Sequence, residues 1–284
     1  MCASQSQILR FIAESPFKVS FCCLKRHFCD IHQCHPKKLK LLIASLMQTG
    51  QLCYTSHYGN SFIEISYDQP TAVSENVVIK PPLSSLKPLP GQEVVSLGRG
   101  ASFGGGEHPT TRLAIQLIDE LLHQPRLRDK CQKYRAVDIG TGSGILAIVA
   151  AKMGVGLVWG IDSDPCAIFE ARENVRLNQL EERVKILDDD LSAITGSYDL
   201  VFANLRMPTL YGFRSTLETK TAADSVLIFS GLKTDEAHPL CEFYKEVGYF
   251  VHQKCSEKGW SAICLARGFF LNENVVPIDN HWGG

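Results

Sequence analysis

The stretch "VDIGTGSG", residues 137–144, decides the fold. A short apolar strand signal carrying Asp138 runs into three alternating glycines, and the helix-patterned "ILAIVAAKMG" follows at once. Glycines at such a junction allow a tight turn and let a ligand approach backbone N–H groups at the start of a helix. A dinucleotide fingerprint would place its glycines at 140, 142 and 145. Position 145 is Ile145, so NAD and FAD are disfavoured.

Strand and helix signals alternate on both sides of this turn. "LVWGID" precedes "PCAIFEARENVRLNQ"; "VKILDD" and "YDLVFANL" follow, and "SVLIFSG" precedes "EAHPLCEFYKEVG". Repeated strand-helix units predict an α/β fold whose parallel sheet is covered on both faces. The final pair, "YFVHQKCSEKG" and "WSAICLARG", has no helix between its members and reads as an antiparallel edge hairpin.

The spacing Gly140, Gly142, Gly144 after Asp138 resembles the first motif of class I S-adenosylmethionine-dependent methyltransferases. The resemblance implies a seven-stranded Rossmann-like sheet. It also implies that S-adenosylmethionine lies against Asp138, Gly140, Thr141, Gly142 and Gly144. Asp162, in "GIDSDP", would accept the two ribose hydroxyls, and Asp190, in "DDDL", the adenine amino group.

A second glycine-rich run, "SLGRGASFGGGEHPTTRL" (96–113), is costly to order unless something holds it. Taken with "VDIGTGSGILAIVAA" and "DLVFANL", it resembles the ribosomal protein L-eleven methyltransferase (PrmA) family over roughly residues 94–267. By that resemblance the loop of Phe103, Gly104, Gly106, His108 and Thr110 folds over the methyl donor, whose contacts offset the ordering cost. Asn204 would face the donor methyl, and its side-chain carbonyl together with the backbone carbonyl of Leu205 would orient an acceptor amine. The chain departs from the family at Gly105, where threonine is usual, and at Arg206, where the family more often reads Asn-Ile-Leu. The Asn/Asp-Pro-Pro-aromatic signature of purine N6 methyltransferases is missing at 204–207, which disfavours direct nucleobase methylation.

Upstream, "QSQILRFIAES", "FCCLKRHF" and "KKLKLLIASLMQTG" carry helical patterns, and "LCYTSH" and "FIEISY" flank a Gly-Asn hairpin signal. Three short helices and a hairpin resemble a winged helix-turn-helix domain over 1–68. Five prolines between 69 and 95 read as an extended linker. The catalytic domain is expected over 96–268, with a tail at 269–284.

Of the 284 residues, 45% are hydrophobic and 21% charged, which suits two globular domains. Net charge is −1, and no apolar run is long enough for a membrane span, so neither a polyanionic nor a membrane partner is indicated globally. Residues 1–70 hold seven Lys/Arg against four Asp/Glu, and Lys37, Lys38 and Lys40 at the start of the third helix make nucleic acid a possible partner. Cys22, Cys23, Cys29, His32, Cys34 and His35 crowd one segment without the paired spacing of a zinc unit, so no metal is expected. Eleven irregularly spaced cysteines without a leader pattern suit reduced thiols in the cytoplasm. Together these features predict an S-adenosylmethionine-dependent methyltransferase acting on lysine or an N-terminal amine of a protein such as a ribosomal protein. The alternatives are a non-catalytic cofactor-sensing regulator that binds nucleic acid through its winged helix, and an RNA or small-molecule methyltransferase.

Overall fold

In the computed structural model of the protein, residues 4–57, 59–66, 70–82, 84, 88–98, 100 and 102–268 are described; the expected tail, 269–284, lies outside them. The chain divides into two compact units near Pro70.

In the first unit, Ser4 starts helix α1 (Gln5–Glu14) with a reciprocal cap: its Oγ accepts the Gln7 N–H at 3.3 Å, and Gln7 Oε1 accepts the Ser4 N–H at 3.0 Å. Helix α2 (Phe21–Lys25) continues into a π-helical turn over Arg26–Ile31. Helix α3 (Pro36–Gln48) begins with proline, whose missing N–H is no loss in the first turn. Strands β1 (Leu52–His57) and β2 (Asn60–Ile65) pair antiparallel, and Val19 adds an isolated antiparallel bridge to Ile63. Ile8, Leu24, Leu39, Leu46 and Ile63 are fully buried in the unit's own core. Lys37, Lys38 and Lys40 are exposed.

The second unit starts within the segment expected as a linker. Strands β3 (Thr71–Ala72), β4 (Val77–Lys80) and β5 (Glu93–Ser96) form a three-stranded sheet in which β4 pairs antiparallel with β3 and parallel with β5. Val77, Ile79 and Val95 are buried in the larger core, so apolar burial organises this stretch. Its prolines flank these strands: Pro70 precedes β3, Pro81 and Pro82 follow β4, and Pro88 and Pro90 precede β5.

Helices α4 (Pro109–Leu122) and α5 (Pro125–Arg128) lead into the main α/β alternation: β6 (Arg135–Ile139), α6 (Ile145–Lys152), β7 (Leu157–Ile161), α7 (Pro165–Leu177), β8 (Val184–Leu187) and β9 (Tyr198–Asn204). Then come α8 (Met207–Gly212), α9 (Arg214–Lys220), β10 (Thr221–Lys233), α10 (Ala237–Lys245), β11 (Phe250–Glu257) and β12 (Trp260–Arg267). The main sheet has seven strands in the order β11-β12-β10-β9-β6-β7-β8; β12 is antiparallel to both its neighbours, and the other pairs are parallel. One apolar core covers each face. Helix α6 is buried all round from Ile145 to Ala151, which explains its unbroken apolar sequence.

Strand order reverses at β6, which lies between β9 and β7. Ligand crevices in open α/β sheets form outside the carboxyl ends of the strands at such a point. Ile139 is in register with both Ile161 and Ala203, so Gly140, Asp162 and Asn204 emerge side by side at the strand ends. Among the described residues, no helix is long and apolar enough to cross a membrane.

Candidate functional site

The turn between β6 and α6 is held from several sides. Gly142 has a φ of +54°, and a Cβ there would lie 2.5 Å from the carbonyl oxygen of Phe103, so a close backbone approach requires glycine. Its N–H donates to Asp162 Oδ2 at 2.9 Å, while Asp162 Oδ1 accepts the Asp164 N–H at 3.0 Å. The Asp162 carboxylate keeps acceptor capacity, because two oxygens offer about four lone-pair positions. Asp138 lies beneath the turn: its Oδ2 accepts from Thr141 Oγ1 at 2.7 Å and from the Ala147 N–H at 3.3 Å. Burial pushes the Asp138 carboxyl up to about 7, opposed by these two hydrogen bonds and reinforced by the Asp162 charge.

The glycine-rich loop rests on this turn. Phe103 O accepts the Ser143 N–H at 3.0 Å, and Gly104 O accepts from Ser143 Oγ at 2.8 Å. Protein hydrogen bonds therefore supply ordering that the sequence alone assigned to ligand contacts. His108 caps α4, with Nδ1 3.3 Å from the Thr110 nitrogen and 2.8 Å from Thr110 Oγ1. Its ring packs against Phe103 at 5.3 Å and edge-on to Trp260 at 5.0 Å. Arg112 donates to Glu107 O at 2.6 Å and pairs with Glu257, tying the loop's end and α4 to β11.

Asn204 ends β9. Its Nδ2 donates to Thr111 Oγ1 at 3.3 Å, whereas its Oδ1 is buried without a hydrogen-bond partner. The Leu205 N–H donates to Ser230 O at 3.1 Å, and Ser230 Oγ donates to Thr110 O at 2.8 Å, so β9, β10 and α4 meet behind the asparagine. The β10–β12 register shifts between Phe229 and Leu232, and Gly231 within that irregularity has a φ of +85°. A Cβ on Gly231 would lie 2.4 Å from Leu205 O.

These elements enclose a crevice of about 920 Å³, at the upper end of the range usual for small-molecule sites. Of the residues expected to contact cofactor, Phe103, His108, Thr110, Gly140, Gly142, Asp162, Asp190 and Asn204 line it, as does Leu205. Gly104, Gly106, Asp138, Thr141 and Gly144 are not in the lining. Asp138 and Thr141 are buried against each other, and Gly144 is the left-handed cap of α6; they shape the turn from behind. Ser102, Gly231 and Trp260 also line the crevice and were not singled out in the sequence. Gly231 and Trp260 come from distant elements that only the strand pairing brings here, whereas Ser102 stands beside Phe103 in the glycine-rich run. Among the described residues, no group of three His, Cys, Asp or Glu side chains is placed to hold a metal ion.

Residues 63–268 match the family model for "Ribosomal protein L11 methyltransferase (PrmA)". A ribosomal protein L11 methyltransferase of Geobacter sulfurreducens is 37% identical over 194 residues, covering 68% of this chain and 61% of that protein. One from Geotalea daltonii is 31% identical over 202 residues, covering 70% of this chain and 64% of its own length. The matched region is thus less than two thirds of either relative. A solved ribosomal protein L11 methylase from Lactobacillus delbrueckii subsp. bulgaricus is similar with a TM-score of 0.62 at 27% identity, over 70% of this chain and 98% of that one.

Proposed function

The chain belongs to the ribosomal protein L11 methyltransferase (PrmA) family, and from that premise and the crevice geometry we propose that it transfers a methyl group from S-adenosylmethionine to an amine of a protein. The observation that carries this proposal is the register that sets the Gly140–Gly142 turn, Asp162 and Asn204 at the ends of three adjacent parallel strands around one crevice.

The residues present fit this cofactor. Gly140 and Gly142 let a ligand approach the turn before α6 closely, Asp162 offers a carboxylate at the end of β7 and Asp190 a second acceptor beyond β8, and Phe103 provides an apolar wall. When bound, S-adenosylmethionine supplies an electrophilic methyl group on a positively charged sulfur.

The chain's own task is to present the nucleophile. A lysine of ordinary pKa near 10.4 is neutral in about one molecule in 2,500 at pH 7, a cost of about 4.6 kcal/mol. Asn204 Oδ1, lacking an internal partner, accepts an amine N–H and aligns the nitrogen lone pair with the methyl carbon. The Leu205 carbonyl adds a second acceptor. Arg206, also in the lining, disfavours a second cation beside it and so favours the neutral amine.

The first unit is read as a winged-helix-like recruiting domain for a protein substrate, a ribosomal protein being the class that the family suggests. Exposed Lys37, Lys38 and Lys40 would let it touch nucleic acid as well. A cytoplasmic location accompanies this proposal. The test is transfer of labelled methyl from S-adenosylmethionine into cell extract fractionated into protein, nucleic acid and metabolites, with Asn204→Ala as control. Label in a protein band that vanishes with the variant supports the proposal. Label confined to RNA or metabolites overturns the substrate class, and no label despite cofactor binding overturns the activity in favour of a sensor.

A further inference from the structure

Glu170 and Asn174 on one face of α7, and Asn178 at its C-terminal cap, are spaced by four residues and therefore stacked along the helix. Together they receive three backbone N–H groups of the segment leading into the glycine-rich loop. Glu170 Oε2 accepts from Ser102 at 3.0 Å, Asn174 Oδ1 from Gly98 at 2.9 Å and Asn178 Oδ1 from Ser96 at 2.9 Å. The two asparagines are themselves fixed: Asn174 Nδ2 donates to Ser143 O at 2.8 Å, and Asn178 Nδ2 to Ser96 O at 2.7 Å. Ser96, Gly98 and Ser102 are thereby registered against the same helix that abuts the β6–α6 turn, and the last rung delivers Ser102 to the crevice wall.

At that position the Ser102 hydroxyl is buried and has no hydrogen-bond partner. A buried hydroxyl without a partner lowers stability, and alanine would fill the same space without that cost. A serine there makes physical sense if a polar group of a ligand completes it.

We infer that Ser102 is a cofactor-binding residue, its hydroxyl hydrogen-bonding a polar group of the bound nucleoside-amino acid, and that Glu170 is the positioning residue that sets it. This inference rests on the crevice being the S-adenosylmethionine site proposed above.

The test is calorimetric titration of the full chain with S-adenosylhomocysteine, paired with thermal melts. Ser102→Ala is expected to melt at or above the wild-type temperature yet bind about tenfold more weakly, the loss of one hydrogen bond. Glu170→Ala is expected to weaken binding similarly. Glu170→Gln, whose amide oxygen still accepts the Ser102 N–H, is expected to retain wild-type affinity. In the Glu170→Ala background, Ser102→Ala should add little, because the hydroxyl is already misplaced. Equal affinity of Ser102→Ala and wild type overturns the inference alone. Failure of the wild-type chain to bind at all overturns the cofactor proposal beneath it.

Discussion

The backbone N–H of Gly142 donates to Asp162 Oδ2 across 2.9 Å, which joins the turn after β6 to the carboxylate at the end of β7. The turn and the carboxylate, both in the crevice lining, are thus one unit, and Asp162 shapes the turn in addition to the ribose-binding role proposed for it. Replacing it with alanine removes a charged acceptor and loosens the turn. Asp162→Ala is expected to weaken S-adenosylhomocysteine binding by about 1.5–3 kcal/mol. Calorimetry checks it, and unchanged affinity would remove Asp162 from the ribose role.

Two glycines separate turn geometry from mere loop composition. Gly142→Ala forces a Cβ toward Phe103 O at a positive φ and is expected to destabilise the protein by roughly 1–3 kcal/mol. At Gly105 a Cβ would meet only Glu107, at 3.9 Å, and no positive φ is required. Gly105→Thr, which supplies the residue usual in the family, is expected to leave stability within about 0.5 kcal/mol. Melting temperatures of the two variants measure the contrast, and equal losses would contradict it.

In the proposed reaction Asn204 acts on the acceptor side, so its loss should appear in turnover more than in cofactor affinity. For Asn204→Ala we expect kcat to fall about 10²-fold while S-adenosylhomocysteine affinity changes little. Single-turnover kinetics beside calorimetry distinguish the two. A variant as active as wild type would place the acceptor site elsewhere.

Asp138 predicts a pH signature. Its folded pKa is raised to about 7, chiefly by burial, whereas an exposed aspartate titrates near 3.9. Between about pH 4 and 7 the folded protein holds a proton that the unfolded chain releases. The stability contributed by this carboxyl therefore falls as pH rises through that window and levels off above it. Asparagine does not titrate, so the melting temperature of Asp138→Asn relative to wild type should climb from pH 5 to pH 8 by several degrees. A difference that stays constant with pH would mean that Asp138 is ionised throughout.

The fold was legible where local signals agree. The strand, three glycines and apolar helix around Gly142 stand next to one another in the chain, and the helix-free closing pair marked the antiparallel edge of β11 and β12. The sheet at β4 and β5 was hidden by neighbouring prolines, because proline frequency describes the flanks while "VVI" (77–79) describes the buried strand. The loop's anchors were illegible for another reason. Glu170 and Asn174 lie in an ordinary amphipathic helix, and only the tertiary placement of Ser102 and Gly98 turns their side chains into acceptors. Gly231 carries no local motif and Ser102 is not set apart within the glycine-rich run, and their place in the crevice follows from the strand irregularity beside Leu205 and from loop packing. Asp138 shows the converse: the motif marked it, yet its side chain faces the turn from behind.

The most direct test of the central claim is a crystal structure of the chain with S-adenosylhomocysteine. The account predicts the ligand in the crevice outside β6, β7 and β9, with both ribose hydroxyls within hydrogen-bond distance of the Asp162 carboxylate and its sulfur facing Asn204. Ligand bound anywhere else, or in this crevice with the ribose away from Asp162, would contradict it.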